Sequence, residues 1–191
     1  MDDLLATMTF FMELDRLKNV ERRNRLADGS RRENTAEHSW HLGMAAMLFA
    51  PYAVEPIDVP RSVAMALAHD IVEIDAGDTF AYDVGADADS KVERELAAAD
   101  RLFGLLPAAQ GRLLRELWDE YESGQTAEAR YVMAIDRMAP MFLNMAEGGT
   151  TWREYGITRE RVVERNAPHI EPALPDVWRH AFALLQQMPD S

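Results

Sequence analysis

Cysteine is absent from the chain. Disulfides, thiolate metal ligands and a thiol nucleophile are thereby excluded, and the absence fits a reducing, cytoplasmic setting. Long hydrophobic runs are missing too. Nothing approaches the roughly 18 apolar residues of a transmembrane helix, so no membrane association is expected, and the start, Met1-Asp2-Asp3, is acidic where a signal peptide is basic. Neither a phosphate-binding glycine loop nor a G-x-S-x-G motif occurs. Positive charge is scarce overall. The formal net charge is −13, which argues against nucleic-acid polymers as partners, because their binders carry a basic face. No sustained apolar alternation is bounded by hairpin turns, so no strand is expected.

The basic charge that is present gathers in one place. Between Arg16 and Arg32 stand seven arginines and lysines against Glu21 and Asp28. Such a patch suits a small anion, or equally a solvated loop flanked by helix-end arginines. The chain has 191 residues, enough to bury a full core. No repeat, low-complexity tract or linker divides it, so a single domain over 1–191 is expected.

The remaining pattern is helical. Leu4, Leu5, Met8, Phe11, Met12 and Leu14 recur at three- and four-residue spacing, predicting a helix over about 2–18. Asp28-Gly29-Ser30 reads as a turn. Asn34 and Glu37 form a capping-box pattern at the start of a second helix, which runs to about Pro51 and carries His38 in its first turn. A third helix is predicted from Pro60 to near Gly77, followed by a loop from Thr79 to Asp89. Further helices are predicted at about 90–104, 107–122 and 126–145, with Pro140 kinking or shortening the last. Two more, at 158–167 and 172–187, are separated by Pro168 and Pro172. The fold class is all-α.

Certain polar residues interrupt apolar helical faces. His38 follows Ala36-Glu37, the pair His69-Asp70 ends an apolar run, and Asp136 sits within Tyr131 to Met138. An unpaired buried carboxylate is costly, and one shared cation would satisfy all four. Taken singly, each has a plainer reading: a histidine bonded to a backbone carbonyl, or Asp136 ion-paired with Arg137. The order H…HD…D over three predicted helices is the stronger signal. Two imidazoles and two carboxylates suit Mn, Fe, Co, Ni, Mg or Zn without choosing among them. Glu73, three residues beyond Asp70, lies about one turn along and can share its side.

The segments Arg32 to Trp40 and His69 to Asp78, together with Asp136, resemble the HD-domain phosphohydrolase superfamily. They are most similar to its branch of bacterial 5′-deoxyribonucleotidases. The likeness spans about residues 4–150, and residues 151–191 match only as generic helices. It implies a helical HD-domain bundle, one divalent metal ion held by His38, His69, Asp70 and Asp136, and a homodimer. It further implies that Glu73 handles a proton for the attacking water or the leaving alkoxide, that Asp78 lies near the substrate sugar, and that Arg22 contacts phosphate. Asp78 reads equally as a turn residue. At Arg23 the chain departs from the branch, which has tryptophan there; an arginine can stack on a base, bind a second phosphate or face solvent.

The function so implied is phosphomonoester hydrolysis of a nucleoside 5′-monophosphate or a similar small phosphate ester. Its rivals are a phosphodiesterase or polyphosphorylated-nucleotide hydrolase, and a non-catalytic, metal-stabilised nucleotide-binding dimer. His41 reads as a supporting or surface residue, Lys91 and Arg94 as a solvated face or as cations that approach substrate phosphate, and Trp40, Trp118, Trp152 and Trp178 as core or dimer contacts.

Overall fold

In the computed structural model, which describes residues 2–82 and 88–188 of the chain, helices dominate. Asp2 caps α1 (Asp3–Leu14), its carboxylate accepting from the Leu4 amide at 3.3 Å. The chain then tightens into a 3-10 turn, Asp15–Asn19, so the helix expected to about residue 18 ends early. A short β-ribbon comes next and corrects the expectation of no strand, while the fold is all-α apart from it. β1 (Glu21–Arg25) pairs antiparallel with β2 (Arg32–Asn34), with an irregular register between Glu21 and Arg25. The ribbon is too short and too charged to show apolar alternation. Its turn is built by Asp28, whose side chain accepts from the Ser30 amide at 2.9 Å, and by Gly29 at φ 70°.

The capping box forms. Asn34 Oδ1 accepts from the Glu37 amide at 2.9 Å, and the Asn34 amide donates to Glu37 Oε2 at 3.2 Å. It starts α2 (Thr35–Leu48) directly off β2. Asp58 caps α3 (Val59–Ala68), with Pro60 in its first turn. The single helix expected to Gly77 is instead broken. Residues 69–72 form a turn, and α4 (Glu73–Ala76) ends at Gly77, whose φ of 76° suits glycine. The loop expected over 79–89 is described as far as Tyr82, and residues 83–87 lie outside the described residues.

α5 (Ala88–Phe103), α6 (Ala108–Ser123) and α7 (Ala127–Ala146) come next. Pro140 lies inside α7 without ending it, and short α8 (Thr150–Glu154) comes after. α9 (Arg159–Ala173) runs through both Pro168 and Pro172, which do not separate two helices as expected; the break comes at Leu174, before α10 (Pro175–Leu185). A proline in a helix loses one backbone bond. Here Val162, Asn166 and Ile170 are buried and hold α9 against α7 and α10.

The core is one apolar cluster reaching from Phe10 on α1 to Leu185 on α10. Its centre is where α2, α3 and α7 pack on one another. These are the three helices that carry or adjoin His38, His69, Asp70 and Asp136, so their mutual packing fixes those side chains. Among the described residues, no helix is long and apolar enough to cross a membrane.

Candidate active site

The capping box sets the first turn of α2, and that turn buries His38 completely. The end of α3 delivers His69, also buried, and Asp70 beside it. α7 brings Asp136. His38 Nε2 stands 3.0 Å from Asp136 Oδ1 and 3.7 Å from Asp70 Oδ2. His69 Nε2 stands 3.1 Å from Asp70 Oδ2 and 3.8 Å from Asp136 Oδ1. One ligand atom from each of His38, His69 and Asp136 falls within 4.8 Å of the others, with Asp70 directly against both histidines.

The donor chemistry fits a cation. His69 Nδ1 lies 2.9 Å from the Ala66 carbonyl, which can only accept, so Nδ1 carries the hydrogen. Nε2 is then left bare, buried and without a hydrogen bond, among carboxylate oxygens. A lone pair facing anionic oxygens is repulsive unless a proton or a metal ion lies between them. Burial opposes charge on His69, yet Asp70 and Asp136 outweigh it and hold its pKa well above the usual histidine range. Burial and the Arg22 charge push His38 down, keeping it neutral. Burial opposes ionisation of Asp70 and Asp136 as well. The charge on His69 and Arg22 nevertheless draws Asp70 down to about 2, and the hydrogen bond from His38 together with the nearby charge of His69 draws Asp136 well below the ordinary aspartate value.

Around the cluster lies a supporting layer, part of which the sequence did not announce. Tyr121, on α6, donates to Asp136 Oδ2 at 3.0 Å and sets its ring edge-on to His69, with centroids 4.9 Å apart. Thr35 donates to Glu73 Oε2 at 2.8 Å. Glu33, on β2, is buried, with Oε2 3.7 Å from both His38 Nδ1 and Arg22 Nε. Burial lifts the Glu33 carboxyl to about 7 despite Arg22. In sequence Tyr121 is one polar residue of a helix tail, and Thr35 is a neighbour of a cap. Glu33 stands in a ribbon that the sequence pattern hid. The only signal for Glu33 and Thr35 was their place within a motif block, and Tyr121 had none.

Glu73 is buried beside the cluster, where burial and the Asp70 charge raise its pKa well above the carboxylate range against the pull of Arg22. Arg22, on β1, is buried too. Its Nη1 donates to Asp70 Oδ2 at 3.0 Å and lies 3.7 Å from Asp78 Oδ1, and these carboxylates overcome burial to keep it firmly charged. Asp78 is half-buried, and burial raises its pKa. Arg23 is exposed. Its guanidinium lies over the Tyr155 ring, 5.7 Å from the centroid, and Nη1 donates to the Tyr155 hydroxyl at 3.3 Å.

A cavity of about 500 Å³ opens beside the cluster, and Arg22, Arg23, His69, Asp70, Glu73, Asp78 and Asp136 all line it. Lys91 and Arg94 line it too, rather than forming only a solvated face, and Lys91 pairs with Glu95 at 3.2 Å. Trp152 lies buried on its wall, Trp118 and Trp178 are core, and Trp40 and His41 are exposed. The ion pair considered for Asp136 with Arg137 does not form among the described residues.

Known proteins are similar to this chain in sequence and fold. The sequence profile of the HD domain matches residues 14–178, so the chain belongs to the HD-domain family. A solved structure described as a predicted metal-dependent phosphohydrolase from Magnetospirillum magnetotacticum MS-1 superposes with a TM-score of 0.89 at 46% identity, covering 97% of this chain and 95% of that one. The human 5′-deoxynucleotidase HDDC2 is 30% identical over 143 residues, which is 74% of this chain and 68% of the human protein. The 5′-deoxynucleotidase hdd1 of Schizosaccharomyces pombe is 30% identical over 145 residues, 72% of each chain.

Proposed function

We propose that the chain is a metal-dependent phosphomonoesterase that releases phosphate from nucleoside 5′-monophosphates. The observation that carries this is the convergence of two buried histidines, two partly buried aspartates, Glu73 and Arg22 beside one cavity of about 500 Å³, a volume within the usual range for small-molecule sites. The names of the human and yeast relatives support the nucleotide class.

His38, His69, Asp70 and Asp136 would hold one divalent ion, with Mn, Fe, Co, Ni, Mg and Zn all compatible with the mixed donor set. That ion supplies Lewis-acid activation of water and neutralises phosphate charge. The remaining steps fall to the chain's own side chains. Arg22 lines the cavity as a permanently charged guanidinium and takes the phosphate oxygens. Thr35 fixes Glu73 Oε2, so Glu73 Oε1 is the oxygen that accepts the proton of the attacking water and returns it to the leaving alkoxide. Asp78, beside Arg22, holds the sugar. Arg23, held over the Tyr155 ring, lines one edge of the cavity. The chain acts as a cytoplasmic homodimer, joined through the exposed apolar face of α1.

The test is phosphate release from a panel of nucleoside 5′-monophosphates by protein loaded in turn with Mn, Co, Ni and Mg. Turnover that disappears in Asp70→Ala together with bound metal is the expected result. Silence of the wild type with every metal favours a nucleotide-binding module, and full metal stoichiometry in Asp70→Ala removes the ligand assignment.

A further inference from the structure

The cations on the cavity wall are not all partnered alike. Arg22 is neutralised by Asp70 and Asp78, and Lys91 by Glu95. Arg137 and Arg165 line the same cavity, and among the described residues neither has an ion pair or a hydrogen bond. Arg137 directly follows Asp136 on α7, and its Nε is buried without a partner. Arg165 comes from α9, which packs on α7. Its guanidinium lies over the Tyr82 ring, 5.4 Å from the centroid. Arg161, also near that ring, is engaged differently, because its Nη2 donates to the Tyr82 carbonyl at 3.2 Å.

This arrangement is costly as it stands. A guanidinium keeps its charge, and a half-buried one loses hydration that only an anion or several acceptors can replace. Stacking on Tyr82 returns part of that, but a ring face is no counter-charge. The two arginines also oppose each other. Burial lowers the pKa of Arg165, and the positive charge of Arg137 lowers it further. An anion between them would relieve both the desolvation and the repulsion, and the paired N–H donors of guanidinium match the oxygens of phosphate or carboxylate. In a protein of net charge −13, two arginines on a site wall with no ion pair among the described residues point to a ligand's charge.

We propose that Arg137 and Arg165 form a second anion subsite at the α7–α9 seam of the cavity, and that the substrate carries a second anionic group, phosphate or carboxylate, besides the phosphoester cleaved at the histidine–aspartate cluster. The identity of that first group rests on the phosphohydrolase function proposed above. A 3′-phosphorylated nucleoside 5′-monophosphate is the simplest molecule of this class.

The experiment is calorimetric binding to Mn-loaded protein of three uncleavable ligands: a deoxynucleoside 5′-phosphonate with a free 3′-hydroxyl, its 3′,5′-bisphosphonate, and its 3′-carboxymethyl ether. The bisphosphonate should bind at least about tenfold tighter than the parent, as charge-assisted hydrogen bonds require. That gain should vanish in Arg165→Gln and survive in part in Arg165→Lys. A matching gain for the carboxymethyl ether identifies a general anion site, and its absence identifies a phosphate site. Equal affinity of all three for the wild type overturns the proposal without recourse to any variant. So does a gain that persists undiminished in both Arg165→Gln and Arg137→Gln. Phosphate release from the 5′-monophosphate, read on the same preparation, tests the hydrolase function separately: its failure alongside a retained bisphosphonate preference sinks the reaction and leaves the subsite.

Discussion

At the residue scale the site is a set of charges that stabilise one another only in combination. Asp136 shows this best. One oxygen stands 3.0 Å from His38 Nε2, the other accepts from Tyr121, and both histidines help keep it ionised. Tyr121→Phe removes one hydrogen bond and keeps the ring packed on His69, so the fold should be unaffected while Asp136 is freed to rotate. The expected outcome is a metal affinity weaker by roughly 10–100-fold, the usual effect of losing a partner that orients a ligand, measured by metal titration with circular dichroism unchanged. Unchanged affinity would show that packing alone holds Asp136. Glu73 calls for a different readout. Glu73→Gln keeps the hydrogen bond from Thr35 and the shape, and removes the ability to carry a proton. It should lower kcat by about 10²–10⁴-fold with little change in KM and full metal occupancy, the range for general acid–base catalysis. Turnover at the wild-type rate assigns the proton transfer to another group.

At the element scale the short ribbon before α2 matters more than its size suggests. β1 carries Arg22, β2 carries Glu33, and the turn from β2 into α2 is the capping box that orients His38. Asn34→Ala removes the cap, at an expected cost of about 0.5–2 kcal/mol, read as a lower urea midpoint with an unchanged slope. Because His38 is four residues on, in the first turn of the same helix, metal affinity should fall too; a stability loss with unaltered metal binding would separate the cap from the site. This capping box was legible in the sequence, as were His38, His69, Asp70 and Asp136, because polar residues breaking apolar faces leave a visible mark. The ribbon was not, since five residues of mostly charged character carry no alternation to read. Pro168 and Pro172 misled for the opposite reason. Their local preference against helix is strong, but the buried face of α9 outweighs it. Tyr121 and Arg137 had ordinary helix-surface surroundings in sequence, and only the folding of α6 and α9 against α7 gives them their places.

At the scale of the whole molecule, charge and apolar surface point outward in different ways. The cavity wall carries charges of both signs, with Arg22, Arg23, Arg137 and Arg165 set among Asp70, Glu73, Asp78 and Asp136, so it offers a small anion positive partners that the acidic chain has few of elsewhere. Exposed apolar side chains form stripes elsewhere, one on α2 with Trp40, Met44, Met47 and Leu48, and one on α1. On α1, Leu4, Leu5, Met8, Phe11 and Met12 lie at helical spacing along one stripe, and all are more than half exposed, Phe11 by 70%. Their inward counterparts on the same helix are Ala6 and Phe10, so α1 is apolar on two faces, and one core contact explains only one of them. A stripe of large side chains on a single outer helix is what a two-fold interface between copies would bury, supplying the centre of the about 800 Å² per partner that a stable dimer needs. Light scattering should therefore give twice the chain mass for the wild type. The double substitution Met8→Glu and Phe11→Glu should convert it to a monomer, because two carboxylates meeting their symmetry mates cannot be desolvated together. Since α1 contributes no lining residue to the cavity, the monomer should keep its metal stoichiometry. A wild type that is already monomeric, or a doubly substituted protein that remains dimeric, takes the interface away from α1.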